Sequence, residues 1–343
     1  MANLLVAMSG GVDSSAALRI LLDEGHTLTG ITFVIDDSEE SRVAVADAAA
    51  VAARLGVPHE SINISEEFRR HVKDYFVRSY EAGETPNPCV VCNREIKFGL
   101  LLDIADSRGF DGVATGHYVR RTEENGRVRL SRAADERKDQ SYMLAHVSEH
   151  RLARAYFPLG DYTKDEIREI AASAGLSTAN KKDSQDICFI PDGDYVRFLT
   201  EYRGKAPVEG DYVDEDGNIL GRHQGQECCT IGQSRGLGIA LGRRVFVLHR
   251  DAERNRVTLG DSDKLMKNEI MLRDVNLIGV DCLSDGEEVA LKIRYAHRAA
   301  PAKVYPTEDG LRIVFAESQR APSPGQLAAM YRGDVLLGGG IIV

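Results

Sequence analysis

The chain has 343 residues, 43% of them hydrophobic, with a formal net charge of -10 and six cysteines, which is enough apolar material for two or three domains with separate cores. The acidic balance argues against a protein that coats nucleic acid by bulk electrostatics, because phosphate binding is driven by lysine and arginine. The cysteines are too sparse for a secreted disulfide framework, and no apolar run approaches the ~20 residues that span a bilayer. With no basic segment ahead of an apolar stretch at the N-terminus, a cytoplasmic location away from membranes is expected.

In chain order, Asn3 to Met8 has the composition of a buried parallel strand. It breaks at Ser9-Gly10-Gly11-Val12-Asp13-Ser14 into a helix with Ala16, Ala17, Ile20 and Leu21 on one face, running to about Glu24 and stopped by Gly25. Thr27 to Val34 reads as a second strand, Val43 to Leu55 as an alanine-rich helix closed by Gly56, and His59 to Ile64 as a third strand. Phe68 to Tyr80 has helical spacing. Gly83 to Pro88, with two prolines, reads as a stiff, exposed connector. Cys92 to Arg108 is helical, Gly112 to Thr115 a short strand, and Lys164 to Ala174 an amphipathic helix stopped by Gly175. After about Pro207 the texture changes to short β segments: Arg244 to Leu248, Arg256 to Leu259, Glu288 to Tyr295, Leu311 to Phe315 and Gly333 to Gly338.

The fold class is therefore α/β, a parallel-sheet domain followed by two small β-rich domains. The boundaries are expected at 1–206, 207–266 and 267–343, the last barrel-like. A local basic face for RNA is a candidate at Arg120, Arg121, Arg127, Arg129, Arg132, Arg137 and Lys138, although such a cluster is more often a solvated loop.

The glycine pair permits positive φ and close backbone approach, and the first N–H groups of the helix point outward with the positive dipole end, which makes an anion cradle. Ser9, Ser14 and Ser15 add hydroxyls, and Asp13 is suited to hold magnesium or to cap the helix. Neither GxxxxGK[ST] nor GxGxxG is present. The pattern SGGxDS resembles the PP-loop of ATP pyrophosphatases, whose fold is adenine nucleotide alpha hydrolase-like. That resemblance implies that ATP is held by its pyrophosphate while AMP passes to a substrate oxygen.

Cys89 and Cys92 form a CxxC where the proline-stiffened loop meets a helix start, a position expected to lower a thiol pKa. A third thiol, Cys188, ends the run Lys182-Asp183-Ser184-Gln185-Asp186-Ile187-Cys188. Spacing gives no standard zinc site, and Cys228, Cys229 and Cys282 read as structural. An ATP loop with three thiols points to adenylation of an oxygen followed by sulfur delivery from cysteine.

The ordered motifs PNPCVVCNREIKFG, ATGHYVR, KDQSYML, KKDSQDICFI, GQSRGLGI, KIRY and SPGQLAAMYRGDVLLGGGII resemble the tRNA-specific 2-thiouridylases, over nearly the whole chain. The resemblance implies sulfur transfer to C2 of the wobble uridine in the tRNA anticodon loop, with ATP and Mg2+. It places ATP at Ala7, Met8, Ser9, Gly10, Gly11, Val12, Asp13 and Ser14, with Phe33 and Gly116 near the adenosine. It makes Cys92 the nucleophile and Cys188 the persulfide carrier, the two ending as a disulfide that a reductant resets. It puts tRNA contacts at Asn87, Pro88, His117, Lys138, Asp139, Gln140, Arg294, Tyr295 and Gln326, and a sulfur donor (cysteine desulfurase, persulfide carrier or free sulfide) as partner.

Many members of that family have an acid where this chain has Cys89, and a thiol is the poorer base at pH 7. Cys89, Cys92 and Cys188 are also a candidate ligand set for a [4Fe–4S] cluster with one open iron, as in some related thiolases; sequence leaves both chemistries open. Two other readings compete. An amide-forming PP-loop ligase would find the cysteines dispensable, and a non-catalytic tRNA-binding protein would find the loop superfluous.

Overall fold

The computed structural model describes residues 1–181 and 187–343; positions 182–186 of the KKDSQDICFI motif lie outside the described residues. The opening strand, β1 (Asn3–Ala7), is followed by β2 (Thr27–Val34), β3 (His59–Asn63), β4 (Gly112–Ala114), a hairpin of β5 (Arg120–Glu124) and β6 (Arg127–Ser131), and β7 (Ala155–Tyr156). Without the hairpin these make one parallel sheet in the order β3-β2-β1-β4-β7. The run of apolar residues in β1 is explained by burial on both faces, Leu4, Leu5 and Val6 being inaccessible. Helix α1 (Val12–Asp23) turns Ala16, Ala17, Ile20 and Leu21 into a core shared with Ala48, Val51 and Ala52 of α2 (Glu39–Leu55). Gly56 ends α2 at φ +68, the left-handed cap that only glycine adopts without strain.

The chain crosses to one side of β1 for β2 and β3 and to the other for β4, so the order reverses between β1 and β4. A crevice forms beyond the carboxyl ends of strands at such a reversal. The Ser9 loop and Gly116 occupy it.

Four strands, β8 (Gly210–Val213), β9 (Ile219–His223), β10 (Phe246–Asp251) and β11 (Arg256–Gly260), form a second sheet in the order β10-β11-β8-β9. The third contains β12 (Met266–Leu277), β13 (Glu287–Lys292), β14 (Ala300–Thr307), β15 (Gly310–Arg320), β16 (Leu327–Arg332) and β17 (Val335–Ile342), and pairing of β12 with β17 closes these six into a barrel. The two β-rich parts are as expected. The hairpin was not: β6 pairs with β17 and so fastens the first domain to the barrel.

The arginines read as a basic face lie on or beside that hairpin, and carboxylates neutralise most of them. Arg120 pairs with Asp161, Arg121 with Glu123, Arg127 with Glu149 and Asp281, Arg129 with Glu124, and Arg137 with Asp135. Arg132 lies over the Tyr331 ring. The cluster is therefore a set of ion pairs rather than an open cationic patch. Of the three cysteines taken as structural, Cys229 is buried beside the Tyr212 hydroxyl and Cys228 is half-buried, but Cys282 is exposed and supports no core.

Candidate functional site

At the end of β1 the chain bends at Gly10, whose φ is +65 and where a Cβ would stand 2.5 Å from the Ala44 carbonyl oxygen. Only glycine fits there, because the loop lies directly on α2. Gly11 is the N-cap of α1 and no side chain caps that helix, so its first N–H groups face the crevice. The serines hold the loop together instead. Ser14 Oγ accepts from the Ser9 amide at 3.1 Å and donates to the Gly11 carbonyl at 3.2 Å, where Ser15 Oγ also donates at 2.8 Å.

Asp13 does not cap α1. Its carboxylate takes the buried Lys164 ammonium at 2.7 Å and the Tyr118 hydroxyl at 2.7 Å. Lys181 donates to the Gly10 carbonyl at 2.9 Å and pairs with Asp47 at 2.6 Å. Neither lysine stood out in sequence, because each comes from a distant segment. Opposite the loop, a Cβ on Gly116 would stand 2.9 Å from the Asp13 carbonyl carbon and 3.0 Å from the Ser14 nitrogen. The turn after β4 thus forms the second wall of the crevice. Phe33, near the end of β2, packs against the buried cluster of Ile64, Phe68, Val72 and Ile96, as do Ile62, Cys92 and Phe189.

The segment Gly83 to Pro88 is not the exposed connector its prolines suggested. Gly83, Pro86 and Pro88 are buried and the rest half-buried. The Thr85 amide donates to the Pro324 carbonyl at 2.7 Å, Gln326 Nε2 donates to the Thr85 carbonyl at 2.8 Å, and Arg273 pairs with Glu84 at 2.7 Å, all from the barrel. Prolines stiffen this segment, and tertiary contacts cover it.

It leads into the helix Pro88–Cys92, with Pro88 in the first turn, where its missing donor costs nothing. The backbone continues as a π-helix, Asn93–Leu100. Five residues close one hydrogen-bonded turn in that geometry. Lys97 lies on that π-helix, five positions after Cys92, and it has no hydrogen-bond or ion-pair partner among the described residues. Its charge acts on all three thiols, Cys89, Cys92 and Cys188, and on His117. Lys97 was missed in sequence, since π spacing leaves no mark that separates it from an α-helix.

The expected lowering of the CxxC pKa does not occur. Burial pushes the Cys92 thiol up to about 11, against the opposing pull of Lys97. Cys89 and Cys188 keep solvent-accessible surface, yet crowding by surrounding protein raises both. Desolvation outweighs the few helical N–H groups. Ionisation of Cys92 and Cys89 further raises Cys188, so the three thiols lie within electrostatic reach of one another despite their separation in the chain. Among the described residues, however, no three of His, Cys, Asp or Glu converge closely enough to hold a metal ion. The three thiols as placed make no site for a single metal ion.

Most of the residues expected at tRNA form a continuous wall. Asn87 lies beside the Tyr142 hydroxyl, which donates to the Leu327 carbonyl at 2.7 Å; the Tyr142 ring lies 6.0 Å from that of Tyr295, and the Tyr295 hydroxyl donates to the Asp139 carbonyl at 3.1 Å. Arg294, beside Tyr142, donates to the Ala321 carbonyl and to Ser323 Oγ. Lys138 and Gln140 flank Asp139, and Gln140 Oε1 accepts from the Tyr118 amide at 3.0 Å. The Asp139 and His117 side chains are each 7% exposed and face protein. Asp139 accepts from Ser141, whereas His117 bonds Thr115 at 2.7 Å and packs between Phe98 and Phe157, burial holding it neutral.

A parallel sheet that reverses at β1, with a glycine-bent loop and an uncapped helix at the reversal, defines a nucleotide-binding protein of the HUP class. The family model described as the tRNA methyl transferase HUP domain matches residues 2–192, the tRNA methyl transferase PRC-barrel domain 196–261, and the aminomethyltransferase beta-barrel domain 267–342. The chain is 43% identical over 349 residues to the tRNA-specific 2-thiouridylase of Clostridium acetobutylicum, covering 98% of both chains. It is 45% identical over 349 residues to one of Clostridium botulinum (strain Okra), again with 98% of each covered. This chain belongs to the family of tRNA-specific 2-thiouridylases. Among solved structures, the U34-tRNA thiolase from Methanococcus maripaludis with its [4Fe-4S] cluster aligns with 59% of this chain and 66% of that one, at a TM-score of 0.37 and 16% identity.

Proposed function

We propose that the protein is an ATP-dependent tRNA-uridine 2-sulfurtransferase that converts the wobble uridine of an anticodon loop to 2-thiouridine. The observation that carries this reading is that three thiols from two separate segments lie within electrostatic reach of one another and of Lys97, whose charge also acts on His117, next to the turn that walls the phosphate loop. An amide-forming ligase has no use for that arrangement.

ATP would bind with its pyrophosphate on the Ser9 to Ser14 loop, between the uncapped start of α1 and the lysines at 164 and 181. Ala7 and Met8 lead into the loop, and Phe33 and Gly116 flank it. Mg2+, bound with the phosphates, would offset their charge. Uridine O2 attacks the α-phosphorus and pyrophosphate leaves. The terminal sulfur of a Cys188 persulfide then attacks C2. Cys92 attacks Cys188 Sγ, the persulfide S–S bond breaks, its terminal sulfur stays on C2, and AMP departs. A Cys92–Cys188 disulfide remains, and a two-electron reductant restores both thiols. Lys97 favours thiolate at each stage, which the buried Cys92 requires. Cys89 supplies a second thiol beside Cys92 where relatives with an acid would have a base.

Uridine must leave its stack to reach Cys92, which suits recognition of a single-stranded loop. The wall of Asn87, Pro88, Arg294, Tyr295 and the 138–140 turn is the surface we assign to that loop, with Gln326 behind it. The sulfur donor is a persulfide carrier protein or a cysteine desulfurase. The test is incubation of purified protein with transcribed tRNA, ATP and a persulfide donor, followed by nucleoside analysis. 2-Thiouridine formed only with ATP supports the reading; ATP-dependent incorporation of ammonia instead would replace it.

A further inference from the structure

Arg250, on β10 of the central sheet, is 4% exposed and has no carboxylate partner among the described residues. Glu227 acts on it only through space, and a buried guanidinium without a direct ion pair is costly, so its hydrogen bonds indicate what it is kept for. Nη1 donates to the Cys229 carbonyl of its own domain at 2.9 Å. Nη2 donates across the domain boundary, to the Gly83 carbonyl at 2.8 Å and to Thr85 Oγ1 at 3.1 Å. Those two residues open the segment that runs into Cys89 and Cys92. The backbones meet closely there: Gly83 has φ +78, and a Cβ on it would stand 3.2 Å from the Arg250 carbonyl oxygen.

The guanidinium also lies over the Tyr80 ring, 5.5 Å from its centre. Tyr80 stacks on Tyr195 with ring centres 4.9 Å apart and planes 25° from parallel. Tyr195 begins the helix Tyr195–Arg203, whose Phe198 ring lies 5.0 Å from that of Phe189, the residue after Cys188. One side chain thus touches the loop ahead of Cys92 and the aromatic stack behind Cys188.

We propose that Arg250 is a positioning residue that sets the two cysteine-bearing segments against each other, through Gly83 and Thr85 on one side and the Tyr80–Tyr195 stack on the other. It rests on the reading that Cys92 and Cys188 react together. A disulfide requires Cα atoms roughly 4.4–6.8 Å apart, so a small shift of either segment decides whether the thiols meet. The central sheet then has a task of its own, holding the sulfur-transfer geometry.

The test oxidises the reduced full-length protein with diamide, which accepts the two thiol hydrogens as the S–S bond forms, and follows the Cys92–Cys188 linked peptide by mass spectrometry. Arg250→Met should slow that linkage ~10-fold or more, Arg250→Lys should recover part of the rate, and Thr85→Val should slow it ~3-fold, on the scale of small misplacements of reacting groups. ATP affinity should stay within about two-fold in all three, and in turnover kcat should fall while KM for tRNA holds. Should Arg250→Met fail to fold, Thr85→Val and Arg250→Lys decide the question. Linkage at the wild-type rate in the folded variants would overturn the positioning role alone. A wild-type protein that never forms the linkage would overturn the cysteine reading, and the role of Arg250 with it.

Discussion

The Gln326 side-chain amide donates to the Thr85 carbonyl at 2.8 Å and reaches the Pro86 carbonyl at 3.4 Å, joining the barrel to the loop ahead of Cys89 across 241 positions of chain. Replacing Gln326 with Leu leaves those carbonyls without their donor, at a cost of about 1–3 kcal/mol. The expected outcome is a lowered melting temperature and a lower kcat/KM for tRNA, with ATP affinity unchanged. Thermal unfolding, nucleotide titration and steady-state thiolation measure the three.

The two loop glycines are predicted to differ. Gly10→Ala meets the Ala44 carbonyl and forces φ +65 on an alanine, whereas Gly11 has φ -103 and only Ser9 Oγ at 3.4 Å from its added Cβ. Left-handed backbone alone costs about 1–2 kcal/mol, before the clash. Gly10→Ala should abolish detectable ATP binding and destabilise the first domain. Gly11→Ala should fold with a melting temperature near wild type. Calorimetric titration and thermal scans of both variants check this.

Glu149 anchors the β5–β6 hairpin and the barrel together. It accepts from Arg127 through both oxygens at 2.8 Å, and from the amides of Val128 and Gly279 at 3.0 and 3.1 Å. Led by the Arg127 hydrogen bonds, these hold its pKa at about 2, below the ordinary 4.5. The depressed carboxylate contributes stability fully above about pH 4.5, and that contribution is lost as pH falls toward 2. Glu149→Gln should therefore lower the melting temperature at pH 7 and flatten its acid dependence between pH 4.5 and 2. An acid dependence as steep as that of the wild type would refute the assignment.

Cys92, with its thiol raised to about 11, should be alkylated by iodoacetamide at a rate that still climbs above pH 9, without the plateau an ordinary cysteine reaches. Lys97 pulls that pKa down, so Lys97→Met should slow alkylation at pH 8 by a few-fold and move the rise to higher pH. Peptide-resolved alkylation across pH reads both.

The parallel sheet was legible because its strands are buried on both faces and its helices carry apolar stripes ended by glycine: β2 spans Thr27–Val34 as its composition predicts, and Gly56 caps α2. The β5–β6 hairpin was not, because Arg120, Arg121, Arg127 and Arg129 dominate its composition; Arg121 and Arg129 pair within it, with Glu123 and Glu124, but the partners of Arg120 and Arg127, Asp161, Glu149 and Asp281, come from elsewhere in the chain. The same limit hid Lys164, Lys181 and Arg250, whose roles exist only through tertiary contacts. The CxxC was visible as a motif, but its pKa was misjudged. Helix position is local and readable, whereas the burial that outweighs it is global.

The central claim is that sulfur reaches the uridine through Cys188 and Cys92. The most direct measurement is single-turnover thiolation of transcribed tRNA by protein preloaded with persulfide, comparing wild type with Cys92→Ser and Cys188→Ser under anaerobic, iron-free conditions. Wild type is predicted to form one 2-thiouridine per persulfide and to end with a Cys92–Cys188 disulfide. Cys188→Ser should form none, and Cys92→Ser should stall before release of thiolated tRNA. Wild-type rates from either serine variant, or thiolation that appears only when iron and sulfide are supplied, would contradict it.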